Sequence, residues 1–307
     1  MKKYIILLAL FITSVSLMAQ DKKTAAKDAN PADSLLNSMS PDNGKDPVND
    51  FKATRLILTQ TTKTVSKNTL NFMVLHRFGD FAGKNGGGQT DFGLDAVADV
   101  YIGFEYGITD NLNVDFGRST IGKLISFDLK YALLRENKDG SIPVSLTLFG
   151  ESGINTYGNY DAFSSRLSYL AQAIISRQIT HVLSIQVSPG YSSDNTANPL
   201  ITGNDKQFFS LGGAAHLRVS RHMSLVADYE HPFSSFRTTT NGFHDAVGAG
   251  IEIETGGHVF TLNLSNARAI DPINSLSNTQ QSISKGQYRI GFTISRIFDF
   301  NHKSTYK

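Results

Sequence analysis

Thirteen polar or charged side chains recur on alternate positions of extended, otherwise apolar stretches: Arg77, Asp99, Glu105, Asp115, Asp128, Lys130, Glu151, His216, Arg218, Asp228, Glu230, Glu252 and Arg289. Eight are carboxylates, four are Arg or Lys, and one is a histidine. Residues two apart in a strand share a face, so the alternation gathers these groups on one polar side. Carboxylates ringing a wall attract positive solutes, the chemistry of a cation-favouring channel. The same groups could instead pair across a narrow interior and fill it. Of the two, the paired and filled interior is the favoured expectation.

Other motifs fall short of chemistry. Gly79-Asp80-Phe81-Ala82-Gly83-Lys84 has three residues between its glycines and Asn85 after the lysine; a phosphate loop needs four, then Ser or Thr. Asp91-Phe92-Gly93 stands without the glycine-rich loop and catalytic loop that give that tripeptide meaning in kinases. The eight histidines contain no His-Glu-x-x-His pair. His216 reads as a hydrogen-bonded interior histidine rather than a ligand or base. The chain has no His-x-Ser-Asn-Gly-like element of the kind outer-membrane phospholipases use on their lipid-facing side. No catalytic, cofactor-binding or metal-ligating residue is therefore assigned.

The elements that position the polar row are strands. Ala98, Val100, Ile102, Phe104 and Tyr106 alternate with Asp99, Tyr101, Gly103 and Glu105. Ile125, Phe127, Leu129, Tyr131 and Leu133 alternate with Ser126, Asp128, Lys130 and Ala132. The same period recurs near 69–78, 112–116, 142–154, 166–178, 182–192, 209–217, 223–231, 243–254, 258–267 and 287–300. Many of these runs approach or exceed the 9–11 residues of a tilted bilayer-spanning strand, where ordinary strands average about 5–6. Short connections such as Thr109-Asp110-Asn111 and Thr255-Gly256-Gly257 alternate with longer polar ones at 79–96, 156–165, 193–205, 232–242 and 268–285. A shorter one at 119–123 departs from that pattern. This pattern predicts an all-β fold: a transmembrane antiparallel up-and-down β-barrel of about 12 strands with short periplasmic turns and longer outer loops. Closure satisfies every backbone polar group in lipid.

The ends bound the domain. Residues 1–20 read as a signal peptide: basic Lys2 and Lys3, an apolar core from Ile5, and Ala19 near the cut. Residues 21–51 are polar and proline-bearing and are expected to be a disordered periplasmic segment. Residues 52–300 are the barrel and 301–307 a tail. An extra extended stretch at 53–64 is expected to be either a short periplasmic strand or an inward-folded plug, because a thirteenth spanning strand would put the N-terminus on the wrong side. The chain has no cysteine, which excludes a lipid-bearing cysteine, disulfides and thiolate metal sites. With 29 basic and 27 acidic residues it lacks the surplus of a nucleic-acid binder.

Several segments resemble an uncharacterised bacterial outer-membrane β-barrel family catalogued as a domain of unknown function. They include His76-Arg77-Phe78-Gly79-Asp80, Gly103-Phe104-Glu105-Tyr106-Gly107-Ile108-Thr109-Asp110, Lys130-Tyr131-Ala132-Leu133-Leu134-Arg135 and Gly291-Phe292-Thr293-Ile294-Ser295-Arg296. The resemblance runs over most of 52–298 and implies an outer-membrane barrel; it transfers no active site. The expected role is a passive pore or solute-uptake channel without a cofactor. The alternatives are a closed structural or adhesive barrel, and a lipid hydrolase. Expected partners are outer-membrane lipid, the barrel-assembly machinery and a small solute, with no nucleic acid.

Overall fold

The computed structural model describes residues 46–195 and 206–301. The signal peptide, most of the 21–51 segment, part of the 193–205 loop and the tail beyond Asn301 lie outside the described residues.

Twelve antiparallel strands form one closed ring. They are β1 (Thr69–Phe78), β2 (Val97–Gly107), β3 (Leu112–Ser119), β4 (Leu124–Leu134), β5 (Ser145–Asn155), β6 (Leu167–Gln178), β7 (Leu183–Asp194), β8 (Gln207–Arg218), β9 (Met223–Phe233), β10 (Ala246–Thr255), β11 (His258–Ser265) and β12 (Arg289–Asp299). Each pairs with its sequence neighbours, and β1 pairs with β12 from Thr69↔Asp299 to Arg77↔Gly291, which removes both sheet edges. An even strand number brings both ends of the barrel to one side. That side carries most of the short turns and the other most of the long loops; the exceptions are the short 120–123 connection on the loop side and the longer 135–144 connection on the turn side.

Parity follows the sequence reading. Ile102, Phe104, Phe127, Leu129, Leu211 and Ile294 point outward and are exposed, while Asp99, Glu105, Asp128, Ser210 and Arg289 are buried inside. Large apolar side chains outside and polar ones inside invert a soluble barrel, and only a hydrocarbon surround makes such an exterior favourable.

The interior is not left to wall side chains. Residues 46–68 run into the barrel from the turn side, and 53–64 form the inward plug rather than a periplasmic strand. Phe51, Leu56, Ile57 and Leu58 are buried against Ala214, Val226, Ala246 and Ala267. The folded unit thus begins before residue 52: Pro47 bridges Asn137, and Asp50 and Phe51 are buried. From the loop side, the 266–288 connection also folds inward. Its helix α1 (Pro272–Asn278) starts at an Asp271 cap with proline at the first turn, where the missing N–H costs nothing. Ile273 and Leu276 of α1 pack on Phe149, Leu170, Ile174 and Phe208 of the inner wall. The core of this barrel is therefore its lumen, filled by two segments meeting from opposite ends.

Candidate functional site

The site is the occluded lumen. Its deepest part is a tight hairpin turn in the N-terminal segment. Arg55 bridges Gln60, the Leu56 N–H donates to the Thr59 carbonyl at 2.9 Å, and the Thr61 N–H to the Thr54 carbonyl at 2.9 Å. At the tip, the N–H groups of Ile57, Leu58 and Thr59 converge on Oδ2 of Asp228 at 3.0, 2.7 and 3.1 Å. Successive backbone N–H groups in a turn form an anion-binding concavity, and the β9 carboxylate occupies it.

The wall supplies the remaining partners. Lys130 Nζ donates to the Thr54 carbonyl at 2.8 Å, Gln186 to the Gln60 carbonyl at 2.8 Å, and Thr147 to the Thr62 carbonyl at 3.0 Å. Arg77 joins both inserted segments: Nη1 donates to the carbonyls of Ala267 and Ala269 at 2.9 and 2.6 Å, and Nη2 to that of Ile57 at 3.2 Å. Arg55 reaches across from the hairpin to the Ile270 carbonyl, its guanidinium 5.1 Å from the Tyr101 ring centre. Asp99 accepts the Ile270 N–H at 2.9 Å, and Ser275 donates to Glu230 at 3.1 Å. Arg289 donates to the Asn266 carbonyl at 3.1 Å and pairs with Asp80. His216 lies 3.3 Å from Glu252, with its ring centre 5.8 Å from that of Phe51.

Of the thirteen residues expected in the lumen, twelve line its interior. Arg218 instead lies at the turn-side rim, half-exposed, with Nη1 donating to the His181 carbonyl at 3.4 Å. Four of the twelve form a feature that parity alone does not show. Glu105 is opposite Asp115, Asp115 opposite Asp128, and Asp128 opposite Glu151. This is an unbroken row of carboxylates across β2–β5, and like charges directly opposite repel. Glu105 is held by Lys130 at 3.6 Å and by Asn113 at 2.8 Å. Oδ1 of Asp115, Oδ1 of Asp128 and both oxygens of Glu151 have no hydrogen-bond donor. Asp271 lies within bonding reach of Glu151, and its burial pushes its carboxyl above the ordinary range. A cavity of about 10 Å³ remains beside the row, lined by Gln60, Glu105, Asn113, Asp115, Asp128, Lys130 and Phe149; that is room for roughly one water.

Sequence reading missed the inserted half of the site: Asp50, Arg55, Lys63 and Asp271. Burial lowers the Lys63 ammonium and raises the Asp50 carboxyl, the latter offset in part by Ser176 and Ser145. One signal was available for the carboxylate row. Glu105 and Asp115 are equidistant from Asp110, the centre of the Thr109–Asn111 turn, and so had to face each other.

A second polar group lies outside. His231 and Asp245 face outward at the loop-side rim, with Nδ1 2.8 Å from Oδ1, and the Tyr229 hydroxyl also donates to Asp245. They border a cavity of about 560 Å³ that includes Phe233, Ser234, Ser235 and His244. The Ser234 hydroxyl accepts the N–H groups of Phe236 and Arg237, both at 3.2 Å.

The closed ring with its apolar exterior and polar, filled interior is matched by a sequence family described as a membrane bound beta barrel domain (DUF5777), over residues 51–298. The chain belongs to this family. Membrane-spanning antiparallel barrels of even strand number are the outer-membrane type, so the expected location stands. Comparison with curated proteins returns no match. Among solved structures, the NanC porin is similar at 8% identity over 74% of this chain and 98% of that one, TM-score 0.45. The KdgM porin follows at 6% identity, 76% and 99% coverage and TM-score 0.43. The outer membrane protein Omp33 of Acinetobacter baumannii has 11% identity, 76% and 99% coverage and TM-score 0.40. At these identities and scores the likeness carries nothing about role.

Proposed function

We propose that this barrel is a gated channel for small polar solutes, shut in the state described by the 46–68 segment and the 266–288 loop. One observation supports the reading: on several strands the wall is built of small residues, and much of the filling comes from elsewhere. On β7 the inward residues include Ser184, Ser188 and Ser192; on β8, Ser210, Gly212 and Ala214; on β10, Gly248 and Gly250. About eight strands make a barrel that wall side chains can fill. A wider barrel whose only purpose is closure needs bulky inward residues. This one keeps its wall slim along much of β7, β8 and β10 and is closed by two inserted segments, so their withdrawal would leave a wet, acid-lined path.

The test is ion conductance in planar bilayers, comparing the native chain with one lacking residues 53–64. Low conductance in the first and cation-preferring conductance in the second is the expected result. If both are silent while migrating as folded barrels on detergent gels, the closed structural reading takes over, which the double filling also favours.

The lipid-hydrolase reading has one observation of its own, the outward His231–Asp245 pair beside its rim cavity. Release of fatty acid from phospholipid vesicles by the refolded chain, lost in His231→Ala, is the outcome that would support it.

A further inference from the structure

We infer that the row Glu105–Asp115–Asp128–Glu151 is a binding site for an elongated organic cation, a polyamine or guanidinium-bearing solute, and that Arg55 of the plug stands beside it as a tethered substitute. The inference rests on the gated-channel reading and names the class of solute.

Four observations carry it. The row is continuous across four neighbouring strands, so it spans three inter-strand steps, about 14 Å at about 4.8 Å each. Glu151 is 4% exposed and Asp128 7%, yet both Glu151 oxygens and one Asp128 oxygen lack a donor. Carboxylates this deeply buried and this close together are costly as charges; the wall sets Lys130 beside them at Glu105, and the arrangement favours further positive charge along the rest of the row. Arg55 brings a positive charge to that level on a segment that is not part of the wall: its guanidinium donates to the Ile270 carbonyl, next to Asp271, and lies 5.1 Å from the ring centre of Tyr101, whose hydroxyl is hydrogen-bonded to Ser126, two residues from Asp128. Finally, among the described residues no three His, Asp or Glu side chains converge closely enough to hold a metal ion. A spread-out row suits charges separated along a chain, where a metal needs ligands gathered at one point.

Lys130 sits at one end of the row, with Glu105, and Asp271 at the other, beside Glu151. Asp115 and Asp128 lie between these two ends. When the hairpin withdraws, Arg55 leaves with it, and a solute with two or more cationic centres can replace it and span to Glu151. The same charge would make that solute a blocker of smaller cations passing through.

The experiment uses Arg55→Ala in the full chain, with folding checked by gel migration before and after heating. Spermidine and the uncharged 1,8-octanediol are titrated by calorimetry in detergent. Spermidine is expected to bind the variant at least tenfold more tightly than the native chain, and the diol not at all. Adding Asp128→Asn and Glu151→Gln should abolish the gain. Arg55→Ala with Asp228→Ala, which also releases the hairpin tip, should bind as well as or better than the single variant. The inference is overturned if neither opened variant binds spermidine more tightly than the native chain, if the diol binds equally, or if the carboxylate substitutions leave binding unchanged. Potassium conductance is recorded on the same proteins. Conductance that spermidine does not reduce sinks the site and leaves the channel, whereas spermidine binding without any conductance keeps the site and removes the channel.

Discussion

Leu58 and Asp228 are 170 residues apart in the chain, and the backbone N–H of one lies 2.7 Å from the carboxylate of the other at the centre of the barrel. With Ile57 and Thr59 on the same oxygen, that contact is the innermost attachment of the N-terminal segment to the wall.

Asp228→Ala strips three buried N–H groups of their acceptor. Bonds to a charged acceptor contribute about 1.5–3 kcal/mol each and do not add fully. A net weakening of about 3 kcal/mol is expected, roughly a hundredfold shift toward the released hairpin. Limited proteolysis within 53–64 should quicken accordingly. An unchanged cleavage rate would mean that Asp228 does not hold the plug.

Arg77→Lys keeps the charge but replaces a planar fork by a single ammonium. Three carbonyls on two segments then compete for it. Cleavage rates in 53–64 and in 266–282 should rise together, each by about tenfold, corresponding to about 1.4 kcal/mol. A rise in one segment alone would contradict a shared clamp.

Leu211→Arg and Ile102→Arg place a charge on the outward face and should cost about 2–4 kcal/mol near the bilayer midplane. Inward substitutions fail for a different reason. A Cβ at Gly103 would lie 2.8 Å from the Tyr101 ring, so Gly103→Ala should cost about 1–3 kcal/mol through crowding. Urea unfolding in lipid vesicles measures both. Full tolerance of Leu211→Arg would reverse the assigned faces.

Burial holds the Asp50 and Glu136 carboxyls above their ordinary range. The seated segment therefore binds protons more tightly than the released one. Its attachment is strongest below the ordinary carboxylate pKa of about 4 and weakens as pH rises through the elevated values. Protease access to 46–52 should increase from pH 4 to pH 8, and Asp50→Asn should flatten that profile. A profile running the other way would refute the assignment.

The strands, their number and their faces were legible because a period of two is a local property. Ile102 beside Gly103 and Leu211 beside Ser210 declare opposite sides without reference to any other part of the chain. The filling of the barrel was not legible in this way. Residues 268–285 carry the same Asn and Ser whether they meet water or a polar lumen, so composition read them as an outer loop, and the structure buries Asn274, Ser275 and Ser277. For 53–64 the sequence left two places open. Only the closed ring decided between them, because it brings Asp228, Arg77 and Lys130 from three strands to the one hairpin whose backbone they satisfy. Which residues alternate is a property of the pleat, and the chain carries it everywhere. Which residues meet depends on closure and register, and those exist only once all twelve strands are in place.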